Sequence, residues 1–277
     1  MSDFVRHNAV TTDFDTSDSW VILSPIEQSI KRKIEAVGTP LKDWDIQINY
    51  GIKTGYNEAF IITTEKRDEI LSNCADEDER KRTDELIRPI LRGRDIKRYG
   101  YDWANLWLIN THNGIKGKLD RIHIEDYPAV KAHLDQYWDK ISTRADKGDT
   151  PYNLRNCAYL DDFSKPKIVY QELCRRGSAF SLDLENNFLG NTGYLLTANS
   201  MSTAELEQLC KLLNSQIALY QLDVVCTKFD ETGWRWLRQF VEDIRLPRSL
   251  TEWRTAFGFT TEEIKFISSK YTHVLPD

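Results

Sequence analysis

Between Ser24 and Tyr50 the hydrophobic period changes from that of a helix to that of a strand, which excludes an all-helical and an all-strand fold alike. In "SPIEQSIKRKIEAVGTPL", Ser24 and Glu27 stand in capping-box register, Pro25 takes the first helical position, and Ile26, Ile30 and Ile34 form one stripe. Gly38 and Pro40 end that helix. Trp44, Ile46, Ile48 and Tyr50 then alternate with polar residues, the pattern of a half-buried strand. "AFIIT" (Ala59 to Thr63) reads as a second strand, so the intervening "GIKTGYNE" is expected to close a hairpin, with Gly51 and Gly55 free to take positive φ.

Further elements follow the same two periods. A charged, helical region with a loop in it runs from about Glu65 to Leu91, and "LWLINT" (Leu106 to Thr111) and "KIVYQEL" (Lys167 to Leu173) read as strands. Between them, Pro128 starts a helix carrying Val130, Leu134 and Trp138. "FLGNTGYLLT" reads as one or two strands after a turn at "LENN". From Ser202 the stripe Leu206, Leu209, Leu213, Ile217 and Tyr220 predicts one long helix over Thr203 to Val225, and a last helix is expected from about Ser249 to Tyr271. Strands and helices do not alternate regularly, so the expected fold class is α+β rather than a doubly wound sheet. The expected division is an extension and linker helix over 1–40, a central domain over 41–248 and a helical tail over 249–277.

No apolar run reaches the roughly 20 residues of a membrane span, and the first 20 residues lack a signal peptide's layout, so a cytoplasmic location with no membrane partner is expected. Five cysteines without a C-x-x-C spacing suggest neither a disulfide framework nor a zinc site. The net charge of −6 is unevenly spread. Thr64 to Glu85 holds nine acids and five bases, whereas Leu86 to Arg98 holds five bases and one acid, and Lys165 to Arg176 four bases and one acid. Such clusters can present a positive face on an acidic protein, or be neutralised in solvated pairs by neighbouring acids.

Tests for chemistry come out negative. A phosphate-cradling loop needs G-x-x-x-x-G-K-[ST] leading into a helix, but Gly51 lies two residues before Lys53. No G-x-G-x-x-G marks a dinucleotide or S-adenosylmethionine pocket. "EIK" (Glu263 to Lys265) matches a nuclease spacing but sits in a helical pattern, and the five histidines show no metal spacing. A binding module is expected rather than a complete enzyme.

Six stretches in order, "WVILSPIEQSIKRKIEAVGTPLKDWDIQINYGIKTGYNEAFII", "LIRPILRGRDIKRY", "FSKPKIVYQEL", "NTGYLLT", "LLNSQIALYQL" and "IRLP", resemble the C-terminal specificity domains of TaqI-like adenine DNA methyltransferases and type IIG restriction-modification enzymes. The resemblance implies irregular mixed or antiparallel β structure with a C-terminal helical portion, and a target-recognition domain that binds double-stranded DNA and positions it for a separate N-terminal methyltransferase, with or without a nuclease. S-adenosylmethionine would belong to that partner and no cofactor to this chain, because the family's Asn-Pro-Pro-Tyr or Asn-Pro-Pro-Phe motif does not occur here. The alternative is a protein-interaction module of restriction or phage-defence machinery without direct DNA contact.

"GIKTG" resembles the hairpin that opens the family's domain, with Lys53, Thr54, Tyr56 and Asn57 as phosphate or base contacts; equally, the two glycines can shape the turn and Asn57 cap it. Arg92, Arg94, Lys97 and Arg98 follow the apolar "LIRPI" and suit both phosphate and guanine, although Arg94 or Asp95 can also form an internal ion pair at Gly93. Lys165, Lys167, Arg175 and Arg176 complete the expected DNA-binding set, and no catalytic or metal-ligating residue is assigned.

Overall fold

The Ser24 hydroxyl and backbone N–H both donate to the Glu27 carboxylate, at 2.8 and 2.9 Å, and open the helix Pro25–Val37. It is the first element of a computed structural model that describes residues 23–175, 180–226, 228–230 and 233–271. Ile30 and Ile34 are buried, and the Gly38 N–H closes the helix on the Ile34 carbonyl at 2.7 Å.

Two four-stranded sheets form the centre. In the first, Phe180–Asp183, Lys167–Gln171, Gly193–Ala198 and Ile46–Tyr50 lie side by side, all antiparallel, with Val169 opposite both Ser181 and Leu195, and Leu196 opposite Ile48. In the second the order is Phe188–Leu189, Ile87–Leu91, Leu106–Ile109 and Ile61–Thr63, with a parallel pair only between the first two. The strand Lys167–Gln171 separates two hydrophobic cores. Ile168 and Tyr170 face the helical core, which includes Ile30, Leu209, Leu213, Ile217 and Ile267, while Val169 enters the other with Phe60, Ile90, Leu108, Val130 and Phe163. A strand buried on both faces must be apolar at successive positions, which is why "KIVYQ" reads as a run and not as an alternation.

The expected hairpin is absent. Ile46–Tyr50 and Ile61–Thr63 belong to different sheets, and the chain crosses between them through a short helix, Asn57–Phe60, whose Ala59 and Phe60 are fully buried. Gly55 takes φ 69°, as a turn glycine does, but Gly51 serves another purpose. A Cβ there would stand 2.2 Å from the Gly190 carbonyl oxygen. The Gly51 and Ile52 N–H groups donate to Gly193 O at 2.9 Å and Leu189 O at 2.7 Å, and Ile52 forms a parallel bridge with Gly190. The strand therefore finds its partner nearly 150 residues away and forms one edge of its sheet.

Several expected helices divide; the one from Pro128 ends at Asp135, and Trp138 opens a separate short helix, Trp138–Ile141, while the charged segment contains the loop expected of it. The charged segment resolves into helices Thr64–Ser72 and Glu77–Leu86, and its last residues, Ile87–Leu91, are a strand. The helix from Thr203 ends at Leu213 and a second, Gln216–Val225, begins after Asn214 and Ser215. Asn214 is fully buried there: its amide nitrogen donates to Phe180 O at 2.7 Å and its amide oxygen accepts from Phe180 N at 3.2 Å, so the side chain closes the sheet edge as a strand would. The apolar stripe stays buried through the break. The last expected helix divides into Trp253–Ala256 and Thr261–Tyr271, with Gly258 at φ 62° between them.

Glu263 of the "EIK" triplet is buried in this last helix and accepts from Lys33 Nζ at 2.6 Å, Ser29 Oγ at 2.7 Å and Thr260 N at 2.6 Å. It clasps the helix Pro25–Val37 to the tail, so both pack on one core with the central strands. Among the described residues, no helix is long and apolar enough to cross a membrane.

Candidate functional site

Where the two sheets meet, a cleft of about 620 Å³ opens between segments far apart in sequence. Asn57, Glu58 and Ile61 come from the crossing between sheets, Arg92 to Arg94 from the end of the strand Ile87–Leu91, Gln171 to Leu173 from the central strand, and Gly190 to Thr192 from the connection before Gly193–Ala198. Backbone approach holds the walls together. Gly190 N donates to Leu91 O, Gly193 N to Gly190 O and Glu172 N to Thr192 O, at 2.9 to 3.0 Å. The Thr192 hydroxyl accepts from Gly93 N at 3.0 Å, and a Cβ on Gly93 would meet Thr192 O at 2.4 Å. Both glycines, Gly51 and Gly93, are thus required by proximity of backbones.

The basic turn is ordered by one acid. Asp95, almost fully buried, accepts from the Arg92 backbone N–H at 2.8 Å and takes the Arg92 guanidinium through Nε at 3.0 Å and Nη2 at 2.7 Å. The Asp95 bond and the Asp95 charge hold the Arg92 pKa above its ordinary value against the opposing effect of burial. Arg94, the next base along, is exposed at the cleft and has no side-chain hydrogen bond or ion pair among the described residues. Of the two carboxylates in the cleft, Glu172 accepts from Arg235 Nε at 2.7 Å and Glu58 from the Tyr56 hydroxyl at 2.5 Å.

The remaining expected contacts separate. Lys53 is half-buried with its ammonium 5.1 Å from the Tyr50 ring centre, and Tyr56 packs against Tyr137. Thr54 is buried, donating its hydroxyl to Asn57 Oδ1 at 2.5 Å, and so cannot present a contact to a ligand. Lys97 is exposed and donates to Arg94 O at 2.8 Å; Arg98 donates to Asn214 O at 3.1 Å and lies away from the cleft beside Tyr99, Lys211 and Trp253. Lys165 is exposed and paired with Asp162 at 2.7 Å. Lys167 is a second correction, fully buried and paired with Asp183 at 2.6 Å inside the protein. Arg175 is exposed on the short strand Leu173–Arg175, opposite Gly233. Arg176 lies outside the described residues.

Sequence reasoning therefore missed Glu58, Gln171, Glu172, Asn191 and Thr192 as cleft residues. The signal for the last two was present: a polar pair held between Gly190 and Gly193, inside "FLGNTGYLLT". Among the described residues no cluster of histidine, cysteine and acidic side chains could hold a metal ion.

Two solved structures are similar to this chain. The type IIL restriction-modification enzyme MmeI, in complex with DNA, matches with a TM-score of 0.50 and 14% identity over 75% of this chain and 26% of its own. The type IIG restriction endonuclease BpuSI matches with a TM-score of 0.50 and 14% identity over 87% of this chain and 27% of its own. At this identity the likeness is one of fold, and the chain spans about a quarter of the length of either enzyme. No match to a curated protein sequence was found. The family model for the TaqI-like C-terminal specificity domain matches residues 88–231, more than half of the 277 residues and the stretch that carries most of the cleft. This chain belongs to the family of TaqI-like C-terminal specificity domains.

Proposed function

We propose that the chain is the sequence-recognition module of a restriction-modification adenine DNA methyltransferase, binding double-stranded DNA and positioning it for a separate catalytic domain that holds S-adenosylmethionine. One observation carries this reading: Asn57, Arg92, Arg94, Gln171 and Asn191, drawn from four separated segments, converge on a single open cleft. Arginine, asparagine and glutamine are the side chains that match base edges in the major groove; Arg92 and Asn57 also hold the walls through Asp95 and Thr54, whereas Arg94 makes no such bond among the described residues. Lys53, Lys97, Lys165 and Arg175 are exposed or half-exposed and supply candidate phosphate contacts, which position a duplex without reading it.

Binding by the isolated chain is expected to be weak, because its net charge of −6 opposes a polyanion and the catalytic domain would supply contacts of its own. A labelled duplex pool titrated at several salt concentrations tests the reading. Three or four phosphate contacts give a log–log slope on the order of −3 to −4. The sequence preference should be faint for the chain alone and sharp when it is joined to its methyltransferase. Binding that ignores salt, or a methyltransferase that selects the same sites equally well without this chain, would falsify the assignment.

A further inference from the structure

The geometry points to Arg94 as a residue that reads a guanine edge, rather than one that holds a phosphate; this rests on the DNA-recognition reading above. Arg92 and Arg94 flank Gly93 and look equivalent in sequence, but they are chemically distinct in place. The Arg92 fork is committed to Asp95 through Nε and Nη2, and its own N–H donates to the same carboxylate. Arg94 has a fixed root and a free fork. Its backbone is pinned on both sides, by Gly93 N donating to Thr192 Oγ1 at 3.0 Å and by Lys97 Nζ donating to Arg94 O at 2.8 Å, while its guanidinium has no partner among the described residues. The planar fork presents two donors at a fixed spacing to a planar two-acceptor target.

The surroundings decide between phosphate and base. Glu172 is already paired with Arg235, but Glu58 shares the cleft with Arg94 and has no cationic partner among the described residues, so a phosphate seated there would be repelled by its charge. A base edge would not, because it carries no net charge and offers donors as well as acceptors. Asn57, Gln171 and Asn191, also in the cleft, are neutral donor–acceptor groups suited to the same target. Of the base edges in the major groove, guanine alone presents two acceptors, O6 and N7, at the spacing of an arginine fork.

The test selects bound duplexes from a randomised pool with the chain joined to its methyltransferase, as wild type, Arg94→Ala, Arg94→Lys and, as a control, Lys53→Ala. The wild type should prefer guanine at one position. Arg94→Ala should lose that preference, with discrimination there falling about ten- to hundred-fold and preferences elsewhere unchanged. Arg94→Lys keeps the charge without the planar fork and should weaken the same preference while retaining the wild-type salt slope. Lys53→Ala should weaken all sequences alike. Guanine preference unchanged in Arg94→Ala, or an Arg94→Ala loss that is uniform across sequences with a salt slope flatter by about one, overturns the assignment and leaves the DNA-recognition reading standing. A joined wild type that binds no duplex, or binds without any preference, overturns both.

Discussion

Lys167 and Asp183 face each other across the antiparallel pair of strands Lys167–Gln171 and Phe180–Asp183, Nζ 2.6 Å from Oδ2, and neither side chain is accessible to solvent. Lys167 also donates to Phe163 O at 2.7 Å. Asp183 accepts further bonds from Glu185 N, Asn187 N and the Asn187 amide, at 2.9 to 3.1 Å. Burial pushes the Lys167 ammonium below its ordinary pKa, and Asp183 pulls it back. Breaking the pair from the acid side would strand a buried cation, so Asp183→Ala should cost about 3–5 kcal/mol in chemical denaturation. Lys167→Met should cost less, because Asp183 keeps its other donors. If Lys167→Met instead altered duplex affinity with stability unchanged, its removal from the interface would be wrong.

Glu263 provides the pH test. Burial disfavours its charge, but the Lys33 ammonium, the Thr260 N–H and the Ser29 hydroxyl together hold the carboxyl down at about 2, from an ordinary 4.5. A carboxyl lowered in the folded state stabilises above its unfolded pKa and ceases to do so as pH falls through the folded one. The contribution is therefore present in full above about pH 4.5 and lost toward pH 2, on the order of 2–3 kcal/mol. Denaturation at a series of pH values should show Glu263→Gln less stable than wild type at pH 7, with the gap closing on acidification. A constant gap would mean that the carboxylate charge is not what holds the helices together.

Gly51→Ala and Gly93→Ala should each destabilise by about 1–3 kcal/mol or more, since the new Cβ meets a backbone oxygen at 2.2 or 2.4 Å and backbone cannot swing aside as a side chain can. Gly100→Ala, with open space around its Cβ, is the control. Thermal melts of the three variants decide it, and equal effects at all three positions would count against the seam between the sheets.

Arg144 is buried and donates to the carbonyls of Thr54, Pro151 and Asn153, with its guanidinium 4.3 Å from the Phe60 ring centre. Burial lowers its pKa to about 10. Arg144→Met should fill much of the volume but leave those carbonyls without their donor, at a cost of about 2–4 kcal/mol. Amide exchange should also quicken around residues 53–57, the segment that leads into the cleft at Asn57. Protection there equal to wild type would show that the crossing segment is held by other contacts.

The sequence alone determined the features that depend on near neighbours. The helix Pro25–Val37 is legible because Ser24, Pro25, Glu27 and the isoleucine stripe all act within a few turns, and "KIVYQ" is legible as a strand because its apolar run admits no solvated face. Ordered resemblance over about Trp20 to Pro247 pointed to the family, since it requires only residues and their sequence, not their contacts. Tertiary structure decided everything that depends on a distant partner. Trp44 to Tyr50 announce a strand but do not say that Gly193–Ala198 lies beside it, so the local hairpin was expected where a sheet-to-sheet crossing occurs. Asn214 interrupts an otherwise continuous helical stripe because the edge at Phe180 needs its amide. Four bases between Lys165 and Arg176 look alike as charges, yet Lys167 points into the protein because strand alternation places it opposite Asp183. Arg92 and Arg94 differ for the same reason: periodicity and composition are properties of a segment, whereas hydrogen-bond satisfaction and charge neutralisation belong to pairs that only the folded chain brings together.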